Sequence, residues 1–310
     1  MKNIILSMLL FGLIISCSSP ETDKIPEINF ETQTTPYEAL SLLGVELYPP
    51  DLPPTVQKSR ENALEESIIW YGRRLAYLSR YRDAIKVFTE GIKEFPDSYK
   101  LYRHRGHRYL SIRKFDEAIA DFSRARSLMP AEGLEIEPDG MPNSINQPLS
   151  NTQFNILYHL ALGHYLKGNF REAAKVYEDC LNYCDNNDLL IATIDWLYMT
   201  YRRLGDDDKA EAILERISPG MVVVENGSYF NRLLMYKGLK APEDLLNLEN
   251  SNDPEMAITL ATQGYGVGNW YLINGDVEKA GQIFKRVLES NNWAAFGYIA
   301  AEADMSRLDF

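Results

Sequence analysis

YGRRLAYLSRYRDAIKVFTEGIKEFP (71–96) and RGHRYLSIRKFDEAIADFSRARSLMP (105–130) are two copies of one pattern. Gly72 and Gly106, Ala84 and Ala118, Phe88 and Phe122, and Pro96 and Pro130 each stand 34 residues apart. Self-similarity at such a period marks a stacked-repeat architecture, in which each unit buries its apolar face only against its neighbours. Working outward, a third copy begins near Phe154, with Ala161, Gly168, Ala173, Tyr177 and Cys180 in matching places. A fourth starts near Ile191, and a later one near Ala261 with Gly268, Tyr271, Ala280 and Phe284. Tyr229–Lys237 and Pro242–Leu248 read as a shortened helix pair, and Trp293–Leu308 as a final solvating helix.

The pattern resembles the tetratricopeptide (TPR) repeat over roughly residues 60–308. The resemblance implies an all-α, right-handed superhelix of helix-turn-helix pairs, an α-solenoid. A small residue at repeat position 8 lets helix A approach helix B, an alanine at 20 does the same from the other side, and an aromatic at 24 fills the space between repeats. The proline at 32 ends helix B. Residues 57–310 are thus expected to form the solenoid, with a C-terminal capping helix. Residues 133–151 interrupt it with prolines, glycine and asparagines and no helical period. A loop of that length is either functional or simply mobile.

Composition agrees with a folded chain. At 310 residues, 45% hydrophobic and 25% charged, collagen-like and disordered classes are excluded. Three cysteines make no disulfide scaffold. The net charge of −12 argues against a nucleic-acid-reading surface. That charge is uneven, since residues 71–130 carry 14 Lys and Arg against 7 Asp and Glu.

The amino terminus reads as an address. Met1-Lys2-Asn3, an apolar run from Ile4 to Ile15 and then Ser16-Cys17 have the order of a secretory signal peptide over residues 1–16. Ile14-Ile15-Ser16-Cys17 resembles the bacterial lipobox, which implies lipidation of Cys17; the alternative is an ordinary signal with a chance cysteine. Ser18 after the cysteine suggests, by the same resemblance, the outer membrane; a periplasm-facing anchor is expected, and the opposite face is the alternative. Residues 17–56 read as a lipidated tether, with Leu42–Val45 and Leu47–Pro50 docking in extended form.

Candidate chemistry concentrates in repeats 2 and 3, which hold all four histidines. The TPR resemblance places Arg73, Arg103, His104, His107, Asn155, Tyr158 and His159 on the concave A-helix face. Arg103 and His107, four apart, share one helical stripe. Two readings fit, a solvated basic face and a site for a carboxylate or other anion. The set resembles the carboxylate clamp of some TPR domains, with Ile69 departing from that pattern. On the anion reading Arg73 and Arg103 are solvated and the histidines add charge as pH falls toward about 6. A histidine metal site is disfavoured by the adjacent arginines. Cys180 reads as a buried packing thiol, one helical turn from Cys184. Gly264 and Gly266 offer bare backbone that could admit a ligand, although the repeat reading needs only close packing there. Ser111 is expected to be exposed.

No nucleophile–base pair, metal motif or cofactor motif emerges, so no cofactor is implied. The reading is a non-enzymatic, envelope-anchored scaffold binding a protein or peptide through a locally basic groove. A component of an outer-membrane nutrient-capture or protein-assembly complex is the alternative.

Overall fold

The computed structural model describes residues 54–140, 143–246, 254–290 and 292–308. The expected signal peptide, Cys17 and the tether up to residue 53 lie outside the described residues. The rest is an all-α superhelix of paired helices. The pairs are α1 (Pro54–Tyr77) with α2 (Tyr81–Glu94), α3 (Tyr99–Ser111) with α4 (Phe115–Leu128), and α5 (Thr152–Leu166) with α6 (Phe170–Cys180). They continue with α7 (Asn187–Leu204) and α8 (Asp207–Leu214), the short α9 (Gly227–Tyr236) and α10 (Pro242–Leu245), then α11 (Pro254–Ile273) and α12 (Val277–Leu288). A last helix, α13, spans Phe296–Arg307. Among the described residues no helix is long and apolar enough to cross a membrane.

Local chemistry sets the boundaries. Ser98, Asn151 and Asn186 precede α3, α5 and α7, and each side-chain oxygen accepts the N–H three residues on, at 3.1, 2.8 and 3.1 Å. These caps satisfy donors that a helix start leaves open. The A-to-B turns need a left-handed residue. Gly168, Gly205 and Gly275 supply it in later repeats, and Ser79 and Arg113, 34 residues apart, adopt it at φ 60° and 64°.

The 34-residue pattern then becomes packing. Ala84 and Ala118 are fully buried where A and B helices meet, and Phe88 and Phe122 are 1% and 0% exposed. A Cβ on Gly72 would lie 2.3 Å from the Phe88 ring, and one on Gly106 would lie 3.1 Å from Phe122, so the small residues are spacers for the aromatics. Each buried phenylalanine contributes about 1.5–3 kcal/mol of transfer free energy. Ser111 differs from expectation. It is buried, and its hydroxyl donates to the His107 carbonyl at 3.2 Å.

The final helix does more than solvate an open end. α13 packs on α11 and α12 and also crosses to α5. Asp304, with no exposure, accepts from both Arg203 nitrogens of α7 at 2.9 Å, from the Tyr265 hydroxyl of α11 at 2.9 Å, and from Arg307 at 2.6 Å. Arg307 also donates to the Leu166 carbonyl at 2.8 Å, and Arg113 donates to Glu302 at 2.6 Å. The last turns of the chain are thus tied to its second and third repeats.

Because Ala118 is fully buried in the core, Ala118→Leu should overpack the A–B contact of repeat 2 and cost about 1–3 kcal/mol, read as a lower Tm. The same change at exposed Ala120 should leave Tm near wild type. Equal melting of both variants would contradict the register.

Candidate functional site

The helical spacing brings the expected residues together. His107 and His159, from α3 and α5, lie with ring centroids 4.5 Å apart and planes tilted by 34°. His104 stacks on Phe88 and His159 on Phe122, at 5.7 and 5.8 Å. Tyr158 meets His159 edge-on at 5.3 Å, and Asn155 donates to the Ser150 hydroxyl at 3.1 Å. Arg103 donates to Nδ1 of His104 at 3.1 Å and, at 3.5 Å, to Nδ1 of His107. Those two rings therefore carry their proton on Nε2. His159 has the opposite tautomer, its Nδ1–H donating to the Asn155 carbonyl at 2.6 Å.

The face is closed, unlike the open groove the sequence suggests. Arg103, His104, Asn155, Tyr158 and His159 are all buried, at 5–7% exposure. Two elements cover them. Phe296 at the start of α13 sits against His107 and His159 at 5.3 and 5.4 Å. The inserted segment supplies Glu137, itself buried, which pairs with Arg103 at 2.8 Å. Arg73 is half-buried, stacks on Trp70 at 4.3 Å and donates to the Pro138 carbonyl at 2.8 Å. The expectation of two solvated arginines thus holds for neither, since burying Arg103 without a carboxylate would be too costly and the loop provides one.

The described part of the insertion is an extended strap. Ile136 bridges Asn151 in antiparallel fashion, with Glu137 N–H donating to Ser150 O at 2.9 Å and Thr152 N–H to Glu135 O at 2.8 Å. Sequence reasoning missed Glu137 and Phe296. Neither lies on a repeat position, and the one available signal was the pair of glutamates in the insertion that follows α4, one helix beyond the basic α3.

Other candidates resolve into packing. α6 ends at Cys180 and continues as a 3₁₀ turn, Leu181–Tyr183, so Cys180 and Cys184 do not share a helix. Both are free, and burial pushes the Cys180 thiol well up. The space at Gly264 is taken by Val287. That at Gly266 is taken by Arg232, whose side chain would be 2.1 Å from an added Cβ and which pairs with buried Asp195. Among the described residues no group of three or more His, Cys, Asp or Glu side chains is placed to hold a metal ion.

Residues 72–132, which include α3 and its Arg103, His104 and His107, match the tetratricopeptide repeat family model. The chain contains tetratricopeptide repeats. Among solved structures, it is similar to YrrB, a TPR protein with an unusual peptide-binding site, at 13% identity and a TM-score of 0.40 over 80% of this chain and 96% of that one. A putative kinesin light chain of Podosopora anserina with nearly identical TPR-like repeats is similar at 12% identity and a TM-score of 0.41, covering 73% and 96%. The TPR domain of P58(IPK) is similar at 12% identity and a TM-score of 0.30, covering 88% and 75%. No curated protein sequence matches the chain.

The electrostatics of this TPR face follow from its closure. Burial pushes the pKa of His104 and His107 well below the usual imidazole value, with Arg103 and Arg108 adding to the effect. His159 is pushed down to about 3, by burial first and then by Arg103. Arg108 stands over the Tyr81 ring at 5.7 Å and is lowered to about 10 by burial and by Arg103. The histidines therefore stay neutral near pH 6 and add no positive charge there.

The sign of the resulting pH dependence is fixed. An unfolded histidine takes a proton near pH 6.5, whereas folded His159 does not until far lower. Its contribution to stability is present above about pH 6.5 and is lost as pH falls toward 3, on the order of a few kcal/mol. Thermal unfolding followed from pH 7 to 4.5 should show Tm falling, and His159→Gln should flatten that fall. An unchanged slope would contradict the neutral-histidine assignment.

Proposed function

We propose that this protein is a non-enzymatic scaffold, anchored to the bacterial envelope by lipid on Cys17, that engages a protein or peptide through the basic face of its first repeats. The repeat family and the stacked helix pairs support the interaction class. The amino-terminal pattern supports the anchor and, through Ser18, an outer-membrane address. The observation that carries the recognition surface is the Arg103–Glu137 pair at 2.8 Å, a carboxylate held on the A-helix face by a guanidinium. Arg73, at the side of it, holds a main-chain carbonyl at 2.8 Å. Together they bind one carboxylate and one peptide oxygen of an extended chain, which is what a peptide site must do. His104, His107, Asn155, Tyr158 and His159 form its neutral, aromatic floor and wall.

Affinity capture from envelope extracts tests the reading, comparing wild type with Arg73→Ala/Arg103→Gln after circular dichroism has shown that the variant folds. Wild type should retain a protein that the double variant loses, and added salt should weaken retention. Cys17→Ser should move the protein out of the membrane fraction. Equal recovery by both proteins, or a Cys17→Ser chain that stays on the membrane, would contradict the scaffold or the anchor respectively.

A further inference from the structure

The strap over the basic face is built inside out. Its strand alternates Leu134, Glu135, Ile136, Glu137, and the period of two turns both acids inward and both aliphatics outward. Glu135 meets the Tyr99 hydroxyl and the Lys100 ammonium, the latter at 2.5 Å, and Glu137 meets Arg103 at 2.8 Å. Leu134 and Ile136 remain 43% and 52% exposed. Apolar burial, the main force on most ordered loops, therefore does little to hold this one. Its attachment is polar: two carboxylates on α3, two main-chain hydrogen bonds to residues 150 and 152, the Pro138 carbonyl on Arg73, and the buried Gln153 side chain, which accepts from Glu135 N–H at 3.1 Å and donates to the Gly133 carbonyl at 2.7 Å.

That attachment is also incomplete. The Arg103 Nε and the Glu137 Oε2 are both buried and lack a hydrogen-bond partner, so the pair uses one contact where a bidentate fork would use two. An unsatisfied buried donor and acceptor each lower the stability of the closed arrangement. The receptor side carries surplus charge besides. Among the described residues, Glu137 is the single carboxylate in an ion pair with Arg73, Arg103 or Arg108.

We propose that α1 and α3 form a receptor for an extended acidic segment of the form Glu-x-Glu-Pro, that residues 135–138 hold this place in cis, and that a partner segment of the same chemistry competes for it. The inference rests on the scaffold reading and adds to it the partner's chemistry and the element that regulates access. The spacing is specific. Two carboxylates two residues apart reach Lys100 and Arg103, three apart on one helix, and the following proline presents its carbonyl to Arg73 without an N–H to place. A partner reaching both fork nitrogens of Arg103 would satisfy what Glu137 leaves open.

The test uses a synthetic peptide with the sequence of residues 133–140, fluorescently labelled, titrated by anisotropy against the full chain. Wild type should bind it weakly, because the strap competes at high effective concentration. Glu135→Gln/Glu137→Gln should bind it about tenfold more tightly or better, since the competitor is weakened. Adding Arg103→Gln should abolish that gain, and a peptide with both glutamates replaced by glutamine should not bind any of the proteins. Glu137→Gln alone, the milder change, carries the same comparison if the double variant does not fold. Tighter binding that requires Arg103 and the peptide carboxylates supports the proposal. Binding no tighter than wild type, or tighter binding that survives Arg103→Gln, overturns it. If capture of an envelope protein still depends on Arg73 and Arg103 while the released variant ignores the peptide, this inference falls and the scaffold reading stands.

Discussion

The cost of burying an arginine without a carboxylate governs how this helix array is assembled. Arg103, Arg105, Arg203 and Arg232 lie wholly or largely inside it. Each is met by an acid from another element: Glu137 of the insertion, Asp121 of α4, Asp304 of α13 and Asp195 of α7. A lone buried guanidinium is strongly unfavourable, whereas removal of either partner from such a pair costs several kcal/mol. The pairs therefore act as registers. They determine which segment can lie against which face more sharply than the apolar contacts, which tolerate other residues of similar volume.

Two of these registers close the basic face of the A helices. Asp304 draws α13 against α7 and α11, and that placement brings Phe296 over His107 and His159. Glu137 draws the insertion over Arg103. The two closures differ in character. α13 also buries Ile299, Ala300 and Ala301, so it is held by apolar area as well as charge. The insertion exposes its aliphatics and rests on polar contacts that salt and competing anions weaken. Of the two covers, the strap is the exchangeable one, and the histidines beneath it stay neutral because both covers exclude water.

The fold was legible because its constraints are steric and local. Gly72 against Phe88 and Gly106 against Phe122 recur at one period, and size complementarity between them needs no knowledge of distant contacts. The short pair α9 and α10 falls where a shortened helix pair is expected, and α13 begins at Phe296, three residues past the expected Trp293. The candidate site was half legible. Helical spacing placed Arg73, Arg103, His104, His107, Asn155, Tyr158 and His159 together, and the structure brings them together. Their burial was not legible, since it depends on Glu137 and Phe296, which reach the face across 34 and 193 residues from Arg103 and carry no periodic mark. The burial of Ser111 was not legible either.

A carboxylate of the chain's own insertion closes the basic face. Amide hydrogen exchange of Glu137 and Thr152, whose N–H groups donate from main chain to main chain across the strap, reports on that closure directly. The account predicts slow exchange at both in wild type. It predicts fast exchange at both in Glu137→Gln, with the amides inside α3 and α5 unchanged. Exchange in wild type already as fast as in the variant would show that the strap does not hold the face, and would contradict the account.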